Sequence, residues 1–533
     1  MREEEPQELL GEEGSNTLES IEEGLDDRVA STPMTRAGLA HLGVVVAVLA
    51  GLAALPYASP DLRRWQPWVD GEGVPIVRMF TGDEPAEGGM ALATGGAVSR
   101  QTGGDVTETL GAAVAANLAA DDEALAEPVA DVTPVAPDQA PPAVRIDPSE
   151  LEGLVLELED PGGRAMRPFY EALLRTGQRE AGAITRVTHY GDSSIAGDGI
   201  TVTMRRQLQR RFGDAGHGFV LIARGSMPYH HQDLRHTAEG PWDLDQLVRA
   251  GRRDHVYGYG GVSYSGSGAV ARFGTDERGP VGGRVSRFEL WYRQTTRGGR
   301  VDLRVDDGER VALSTRAETE QDAWHVIDVP DGPHRLELRA IGGGDMQLFG
   351  MVLEREGPGV VYDSLGMVGA RARRMLGLDP QHFHTQLEHR QTNLVVLAFG
   401  GNDADDVNRT AEQFEDDFRR VIRLTRRARP EAGCLLMAPL DQAVRDDRGN
   451  IITMSQVPVI VAAQRRAAQA EGCAFFDTYE AMGGEGSMRR WFRSNPRLAF
   501  GDFRHATPGG YRVIGNMLYR AILKGFSDFL ATQ

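Results

Sequence analysis

The periodicity of apolar residues constrains the fold of this chain most strongly, because it changes type along the sequence and then changes back. Ile184–Tyr190 has a strand pattern and Ile200–Phe212 has a helical one. From Val285 to about residue 340, apolar and polar residues alternate as in half-buried strands, with a hairpin signal at Asp306-Asp307-Gly308. Buried strands and amphipathic helices return from Leu394 onward. This order predicts an α/β domain interrupted by an inserted all-β module, a sandwich.

The second part of the α/β domain contains three apolar runs that predict parallel strands. They cover Leu394–Phe399, Cys434–Pro439 and Cys473–Phe476. The two cysteines of the chain therefore begin two of these strands. Neighbouring parallel strands could bring the cysteines together, but two buried free thiols are the simpler prediction.

The first 150 residues do not show the pattern of a globular domain. Residues 1–36 are rich in Glu and Asp and predict a disordered tail. Residues 37–57 are uncharged and about as long as a bilayer span, which predicts a single-pass membrane anchor. Residues 58–150, rich in Gly, Ala and Pro, predict a disordered, low-complexity linker. The net charge of −19 disfavours non-specific binding of nucleic acid.

Four short blocks, each at the end of an expected strand or the start of an expected helix, carry candidate catalytic residues. They are Gly191-Asp192-Ser193, Gly369, the block Gly400–Asp403, and the block Asp502–His505. A serine nucleophile needs a base, a group that orients the base, and donors for the oxyanion. The blocks together provide a candidate for each of these roles.

Local sequence indicates how the blocks could work. Ser193 lies in a strand-to-helix turn, and Ser194 is a second-choice nucleophile. Asp502 lies three residues before His505, close enough to hold its Nδ1 atom and direct its Nε2 atom to the serine. The amide of Asn402 could donate to an oxyanion. No metal or cofactor is expected.

These blocks resemble those of the SGNH (GDSL-type) hydrolases, which carry Ser, Gly, Asn and His in this order. The resemblance implies a flavodoxin-like three-layer α/β fold, with Ser193 as nucleophile and Asp502 and His505 completing the triad. It also implies that Ser193, Gly369 and Asn402 donate to the oxyanion, with Gly366 as an alternative to Gly369. The expected divisions are residues 151–220 and 359–533 for the hydrolase domain and 221–358 for the inserted module.

The spacing of the blocks departs from the common family pattern, because 176 positions separate Ser193 from Gly369. This layout is similar to the bacterial cell-wall O-acetylesterases, in which the inserted β domain resembles a carbohydrate-binding module. The resemblance implies a serine esterase that removes O-acetyl groups from a cell-envelope polysaccharide such as peptidoglycan. The enzyme would be anchored in the cytoplasmic membrane with its catalytic part outside the cytoplasm. The alternatives are an O-acetyltransferase with the same triad and a non-catalytic glycan-binding protein.

Aromatic residues of the inserted module have two possible roles. They could stack on sugar rings, or they could form the core of the sandwich, which is the more common use. The residues concerned are Tyr257, Tyr259, Tyr264, Trp291, Tyr292 and Trp324.

Overall fold

The computed structural model describes Asn117, Val129 and residues 131–136, 138–226, 228–249 and 251–533. The predicted acidic tail, membrane anchor and most of the linker lie outside these residues. Among the helices that the structure does describe, none is both long and apolar enough to cross a bilayer.

The described strands are, in chain order, β1 (Ile184–Gly191), β2 (Gly218–Leu221), β3 (Leu234–Glu239), β4 (Trp242–Gln246), β5 (Val262–Gly266), β6 (Val270–Thr275), β7 (Val285–Gln294), β8 (Arg300–Val305), β9 (Val311–Ser314), β10 (Gln321–Gly332), β11 (Arg335–Gly342), β12 (Gln347–Glu354), β13 (Gly359–Gly366), β14 (Leu394–Ala398), β15 (Gly433–Met437), β16 (Ala443–Arg445), β17 (Ile451–Thr453) and β18 (Ala474–Phe476). The α-helices are α1 (Arg167–Gly177), α2 (Ser193–Ala196), α3 (Gly199–Phe212), α4 (Pro380–Arg390), α5 (Ala411–Ala428), α6 (Gln456–Glu471), α7 (Thr478–Ala481), α8 (Ser487–Arg493) and α9 (Pro508–Leu530). Short 3-10 helices cover Pro148–Leu151, Leu247–Arg249, Ala372–Gly377 and Asp403–Asp405.

A five-stranded parallel sheet forms the centre of the α/β domain, in the order β13-β1-β14-β15-β18. Numbered within this sheet alone, the order is 2-1-3-4-5, which is the flavodoxin-like arrangement. Strands β14, β15 and β18 are buried along their whole length, as expected for a parallel sheet covered on both faces. The predicted α/β class is confirmed.

Helices cover the two faces of this sheet. One apolar core contains Phe169 of α1, Met204 of α3 and Ile514 of α9. The core on the other face contains Leu387 of α4, Ile422 of α5 and Ile460 of α6, and it continues into the inserted module. The domain is therefore an α/β/α sandwich of three layers.

The inserted module lies between α3 and β13 and consists of two antiparallel sheets. One has the order β10-β7-β12-β5-β4, with β2 paired to β12, and the other has the order β3-β6-β11-β8-β9. The predicted all-β insertion is thus present as a sandwich. The division expected at residues 220/221 falls inside β2, because Val220 and Leu221 pair with Met351 and Gly350. Strand β13 was not anticipated from the sequence.

The aromatic residues singled out in the module belong mainly to its core. Tyr257, Tyr259, Tyr264, Trp291 and Tyr292 are each no more than 4% exposed. Trp324 is partly buried, and its ring stacks on His389 with the ring centroids 3.8 Å apart. Core packing, rather than sugar stacking, therefore accounts for the five buried rings.

A buried network of charges joins the module to the α/β domain. Arg390 of α4 donates to both carboxylate oxygens of Asp363 on β13, at 2.6 and 2.9 Å, and to Glu354 on β12. Arg186 of β1 also pairs with Glu354, and Tyr259 donates to Asp363 at 2.7 Å. Arg186 and Arg390 hold the pKa of Glu354 well below its usual value, although burial of the carboxylate acts to raise it.

The expectation of free thiols is wrong: Cys434 and Cys473 form a disulfide. Cys434 lies on β15, and Cys473 immediately precedes β18, the strand that pairs with β15 in parallel. The pairing of these strands places the two Cα atoms 4.8 Å apart, a normal separation for a disulfide.

The last part of the predicted linker packs against the folded domain. Val135 donates its backbone N–H to the carbonyl of Arg179, and Asp131 pairs with Arg284 and Arg355. Val144 and Ile146 contact the α/β core. This part of residues 58–150 therefore departs from the prediction of an unstructured tether, because ion pairs and apolar contacts fix it in place.

Candidate active site

The four blocks meet at the carboxyl edge of the parallel sheet. Strand β1 leads into Ser193, β13 into the loop that carries Gly369, and β14 into the turn that carries Asn402. Because β1 lies between β13 and β14, the strand order reverses direction here. Open α/β sheets bind their ligands at this kind of switch point.

Ser193, His505 and Asp502 form a connected chain of hydrogen bonds. The Oγ atom of Ser193 lies 2.8 Å from Nε2 of His505, and Nδ1 of His505 lies 2.6 Å from Oδ2 of Asp502. In this arrangement an imidazole that donates its Nδ1–H to the carboxylate presents a basic Nε2 to the serine. The structure thus brings together three residues that lie 312 and 3 positions apart in the chain.

Asp502 is held in the charged form that this arrangement requires. Partial burial acts to raise its pKa, but hydrogen bonds from the His505 ring and from the N–H groups of Arg504 and His505 lower it below the usual value. The two N–H groups lie 3.0 and 3.2 Å from Oδ1.

The loop carrying Asp502 and His505 has a strained backbone. Phe503 has a φ of 58°, in the left-handed region that bulky residues seldom adopt. Its ring is buried against Phe492, and hydrogen bonds between Phe500 and His505 and between Phe500 and Phe503 close the turn. The packing of Phe503 therefore maintains a conformation that turns Asp502 and His505 toward each other.

The structure distinguishes Ser193 from Ser194. The hydroxyl of Ser194 donates to Asp192 at 2.8 Å, and its backbone N–H donates to the same oxygen at 3.0 Å. Only the hydroxyl of Ser193 reaches His505. Burial raises the pKa of Asp192, while hydrogen bonds from Ser194 and Gly401 oppose that effect. Asp192 is the N-cap of α2, and an Asp before a helical Ser-Ser pair is a common N-cap signal.

Candidate oxyanion donors converge near Ser193. The side-chain amide of Asn402 donates to the carbonyl of Ala370 at 3.1 Å, which leaves its second N–H free to bind a ligand. Within the described residues, the backbone N–H groups of Ser193 and Gly369 have no hydrogen-bond partner.

The two glycines of the second block have different environments. Gly366 packs against the backbone of α2, because a Cβ atom there would lie 2.1 Å from the Ala196 nitrogen. Gly369 has a φ of +77° and open space on its Cβ side. It directly precedes Ala370, whose carbonyl holds Asn402. This contact favours Gly369 over Gly366 as the residue beside the reacting group.

A small pocket of about 40 Å³ adjoins these groups. Its walls include Ser193, Asn402 and His505, together with the apolar segment Met437–Leu440. A cavity of this size holds a few water-sized groups, so it fits a short acyl chain.

Asp403, next to Asn402, is a further ionisable group near the site. Burial raises its pKa to about 7, and the neighbouring carboxylates of Asp192 and Asp406 add to this effect. A salt bridge between Arg504 and Asp405, with N–O distances of 2.7 and 3.0 Å, joins the fourth block to the 3-10 helix that follows Asn402. Neither the proximity of Asp403 to Asp192 nor the salt bridge between Arg504 and Asp405 was predicted, because each pair is distant in sequence.

Comparison with known proteins supports an ester-cleaving domain. Residues 338–513 match the model of the GDSL-like Lipase/Acylhydrolase family, a range that includes Gly369, Asn402, Asp502 and His505 but not Ser193. No curated protein matches the sequence.

Solved structures of related fold include a peptidoglycan O-acetylesterase. It is 23% identical, covers 70% of this chain and 99% of its own, and superposes with a TM-score of 0.57. A family two carbohydrate esterase from Cellvibrio japonicus is 13% identical, covers 55% of this chain and 100% of its own, and has a TM-score of 0.23. The first of these likenesses supports the fold. The family match over residues 338–513, together with this fold, supports an SGNH-type hydrolase and therefore a carboxylic ester hydrolase.

Proposed function

We propose that this protein is a serine esterase that removes O-acetyl groups from a cell-envelope polysaccharide, with peptidoglycan as the leading candidate. The observation that carries the proposal is the 2.8 Å contact between Ser193 Oγ and His505 Nε2, with Asp502 at the other ring nitrogen. This is the arrangement that a serine nucleophile requires.

In the proposed mechanism, Ser193 attacks the acetyl carbonyl while His505 takes its proton. Asp502 holds the ring orientation and stabilises the imidazolium that forms. The developing oxyanion accepts hydrogen bonds from the Asn402 amide and from the backbone N–H groups of Ser193 and Gly369. His505 then returns the proton to the sugar oxygen, and a water molecule activated by the same ring releases acetate from the acyl-serine.

The pocket beside Ser193 supports a short acyl group. Its volume of about 40 Å³ leaves no room for a fatty acyl chain, which would have to extend past the apolar wall at Met437–Leu440. We therefore expect acetyl esters to be hydrolysed much faster than esters of longer acids.

The Cys434–Cys473 disulfide supports a location outside the cytoplasm, because disulfides persist in oxidising compartments and are rare in reducing ones. Anchoring by residues 37–57 stays a prediction from the sequence. Both support a location at which acetylated envelope polymers occur.

Acetate release by the full chain tests the proposal. The substrates are O-acetylated peptidoglycan and acetylated xylan, and the variants are Ser193→Ala, His505→Ala and the matched control Ser194→Ala. We expect Ser193→Ala and His505→Ala to lose about 10⁴-fold or more in kcat, and Ser194→Ala to retain activity within about tenfold. Equal activity in wild type and Ser193→Ala refutes the mechanism. Transfer of acetyl to added glycan in place of acetate release identifies a transferase.

A further inference from the structure

A second and larger cleft, here called the module cleft, lies between the inserted sandwich and the catalytic edge of the α/β domain. Its volume is about 380 Å³. Three groups of described residues form its walls: a loop near the end of β2, part of the sandwich, and the end of β13 with the residues after it. They are Gly225, Ser226, Pro228 and Tyr229; Gln246, Val248, Arg249, Gly261 and Val262; and Gly366–Val368. The sandwich therefore contributes directly to a surface beside the catalytic blocks.

The module cleft is continuous with the catalytic blocks along the chain. Val368, in its wall, is bonded directly to Gly369. On the opposite side, the loop after Tyr229 is fixed to the helix that begins at Ser193, because His230 donates its N–H to the carbonyl of Ala196 at 3.0 Å. Two walls of the cleft are thus attached directly to segments that carry catalytic blocks.

Arg249 gives the cleft a positive charge without a counter-ion. It ends the 3-10 helix Leu247–Arg249, is exposed, and has no ion pair or hydrogen bond with any described residue. Arg252, three positions on, is instead paired with Asp245 and Asp254.

The other cleft walls are uncharged. The described lining residues include no Asp or Glu, and the polar ones are Ser226, Tyr229 and Gln246. A guanidinium in such surroundings binds a carboxylate well, because planar N–H groups match the two carboxylate oxygens and no neighbouring acid competes. The partly exposed hydroxyl of Ser226 in the same cleft suits the hydroxyl groups of a sugar.

We propose that the module cleft is a substrate subsite for a carboxylate-bearing glycan and that Arg249 binds the carboxylate. The inference rests on the proposed function, since it requires an ester substrate at Ser193. It assigns the inserted module a role in selecting acidic polymers. This role does not depend on sugar stacking by the module's aromatic rings, five of which are buried in its core.

The test compares the full-length wild type with Arg249→Gln and with the matched control Arg164→Gln. Arg164 is also exposed and unpaired among the described residues, but it lies at the opposite edge of the sheet, next to Ala165, whose carbonyl binds the N–H of Cys434. Three substrates are used: O-acetylated peptidoglycan, the same polymer with its carboxyl groups amidated by carbodiimide and glycinamide, and an aryl acetate. Dividing kcat/KM for each polymer by kcat/KM for the aryl acetate corrects for changes at the hydrolytic site.

For native peptidoglycan, Arg249→Gln should lower this ratio about tenfold, mainly through KM. Amidation of the polymer should lower the wild-type ratio by a similar factor and leave that of Arg249→Gln nearly unchanged. Arg164→Gln should follow the wild type on all substrates. A merely structural role for Arg249 would not produce this dependence on substrate carboxyl groups.

Two results overturn the inference and leave the proposed function standing. The first is that Arg249→Gln has the same kcat/KM ratio as the wild type on native peptidoglycan. The second is that amidation of the polymer lowers the kcat/KM ratio of the wild type and of Arg249→Gln by the same factor. Hydrolysis of the aryl acetate by the wild type without acetate release from either polymer refutes the proposed function and, with it, the inference.

Discussion

At the scale of single residues, the site depends on which of two adjacent hydroxyl groups, that of Ser193 or that of Ser194, contacts His505. Asp192 accepts two hydrogen bonds from Ser194 and leaves Ser193 facing His505. The proposed roles of Asn402 and Gly369 as oxyanion donors rest on a further contact, since the carbonyl of Ala370 holds Asn402 beside Gly369.

Asn402→Ala should lower kcat for acetate release by about 100-fold with little change in KM, because an oxyanion donor acts mainly in the transition state. Asn402→Asp should be at least as damaging, since a carboxylate repels the oxyanion. Steady-state kinetics on an aryl acetate measure both. A rise in KM alone, with kcat preserved, would contradict the assignment of Asn402.

Asp403 should make the stability of the fold depend on pH. Its pKa in the folded protein, about 7, lies above the ordinary value of 3.8, so folding favours the protonated form. This contribution to stability is fully present below pH 3.8 and is lost as the pH rises through 7. In Asp403→Asn, which mimics the protonated form, the free energy of unfolding should therefore fall less than in wild type between pH 5 and 8, by on the order of 2 kcal/mol.

Urea denaturation at the two pH values measures this difference. Asp416→Asn, at an exposed position of α5, is the matched control and should follow the wild type. Parallel loss of stability in wild type and Asp403→Asn would show that Asp403 is not the group responsible.

At the scale of elements, local sequence signals located most of the site. Thr507 is the N-cap of α9 and accepts a hydrogen bond from Gly510, and Pro508 is the first residue of that helix. Short apolar runs correctly marked β1, β14 and β15. These features depend on residues close together in the chain, and sequence patterns report such features best.

Features that depend on distant residues could not be read from the sequence. The free-thiol prediction failed because the disulfide depends on β15 and β18 being neighbours in the sheet. Strand β13 was missed because Gly359–Gly366 contains polar residues, among them Asp363, whose burial depends on contacts with the distant residues Arg390 and Tyr259. The choice between Gly366 and Gly369 likewise required the contacts of Ala196 and Ala370.

The disulfide should contribute measurably to the stability of the parallel sheet. Replacing both cysteines by serine should lower the free energy of unfolding by about 3 kcal/mol, because the bond closes a loop across a separation of 39 residues. Chemical denaturation with and without reductant measures this. The reductant should destabilise the wild type and leave the double variant unaffected. Equal stability of oxidised and reduced wild type would contradict the prediction.

At the scale of the whole molecule, the inserted sandwich and the α/β domain share one apolar core and one charge network. Arg390, Asp363 and Glu354 come from α4, β13 and β12, so each side of the junction supplies charges that the other side neutralises. This sharing fixes the module cleft relative to Ser193, which a flexibly linked binding domain could not do.

The two parts should therefore unfold together. Arg390→Gln leaves Asp363 without its paired cation and leaves Glu354 paired with Arg186 alone, so it should lower the free energy of unfolding by about 3 kcal/mol or more. In calorimetry of the wild type, the inserted sandwich and the α/β domain should unfold in a single transition. Two well-separated transitions, one unaffected by Arg390→Gln, would show that the parts are energetically independent.

The most direct test of the central claim is to identify the residue that carries the acyl group during turnover. Full-length enzyme is mixed with O-acetylated peptidoglycan, quenched in acid within the first turnover, digested and analysed by mass spectrometry. The mechanism predicts one acetyl group on Ser193 and none on Ser194, with no acetylated peptide from Ser193→Ala. Acetylation at Ser194, or rapid acetate release with no acyl group at Ser193 at any quench time, would contradict it.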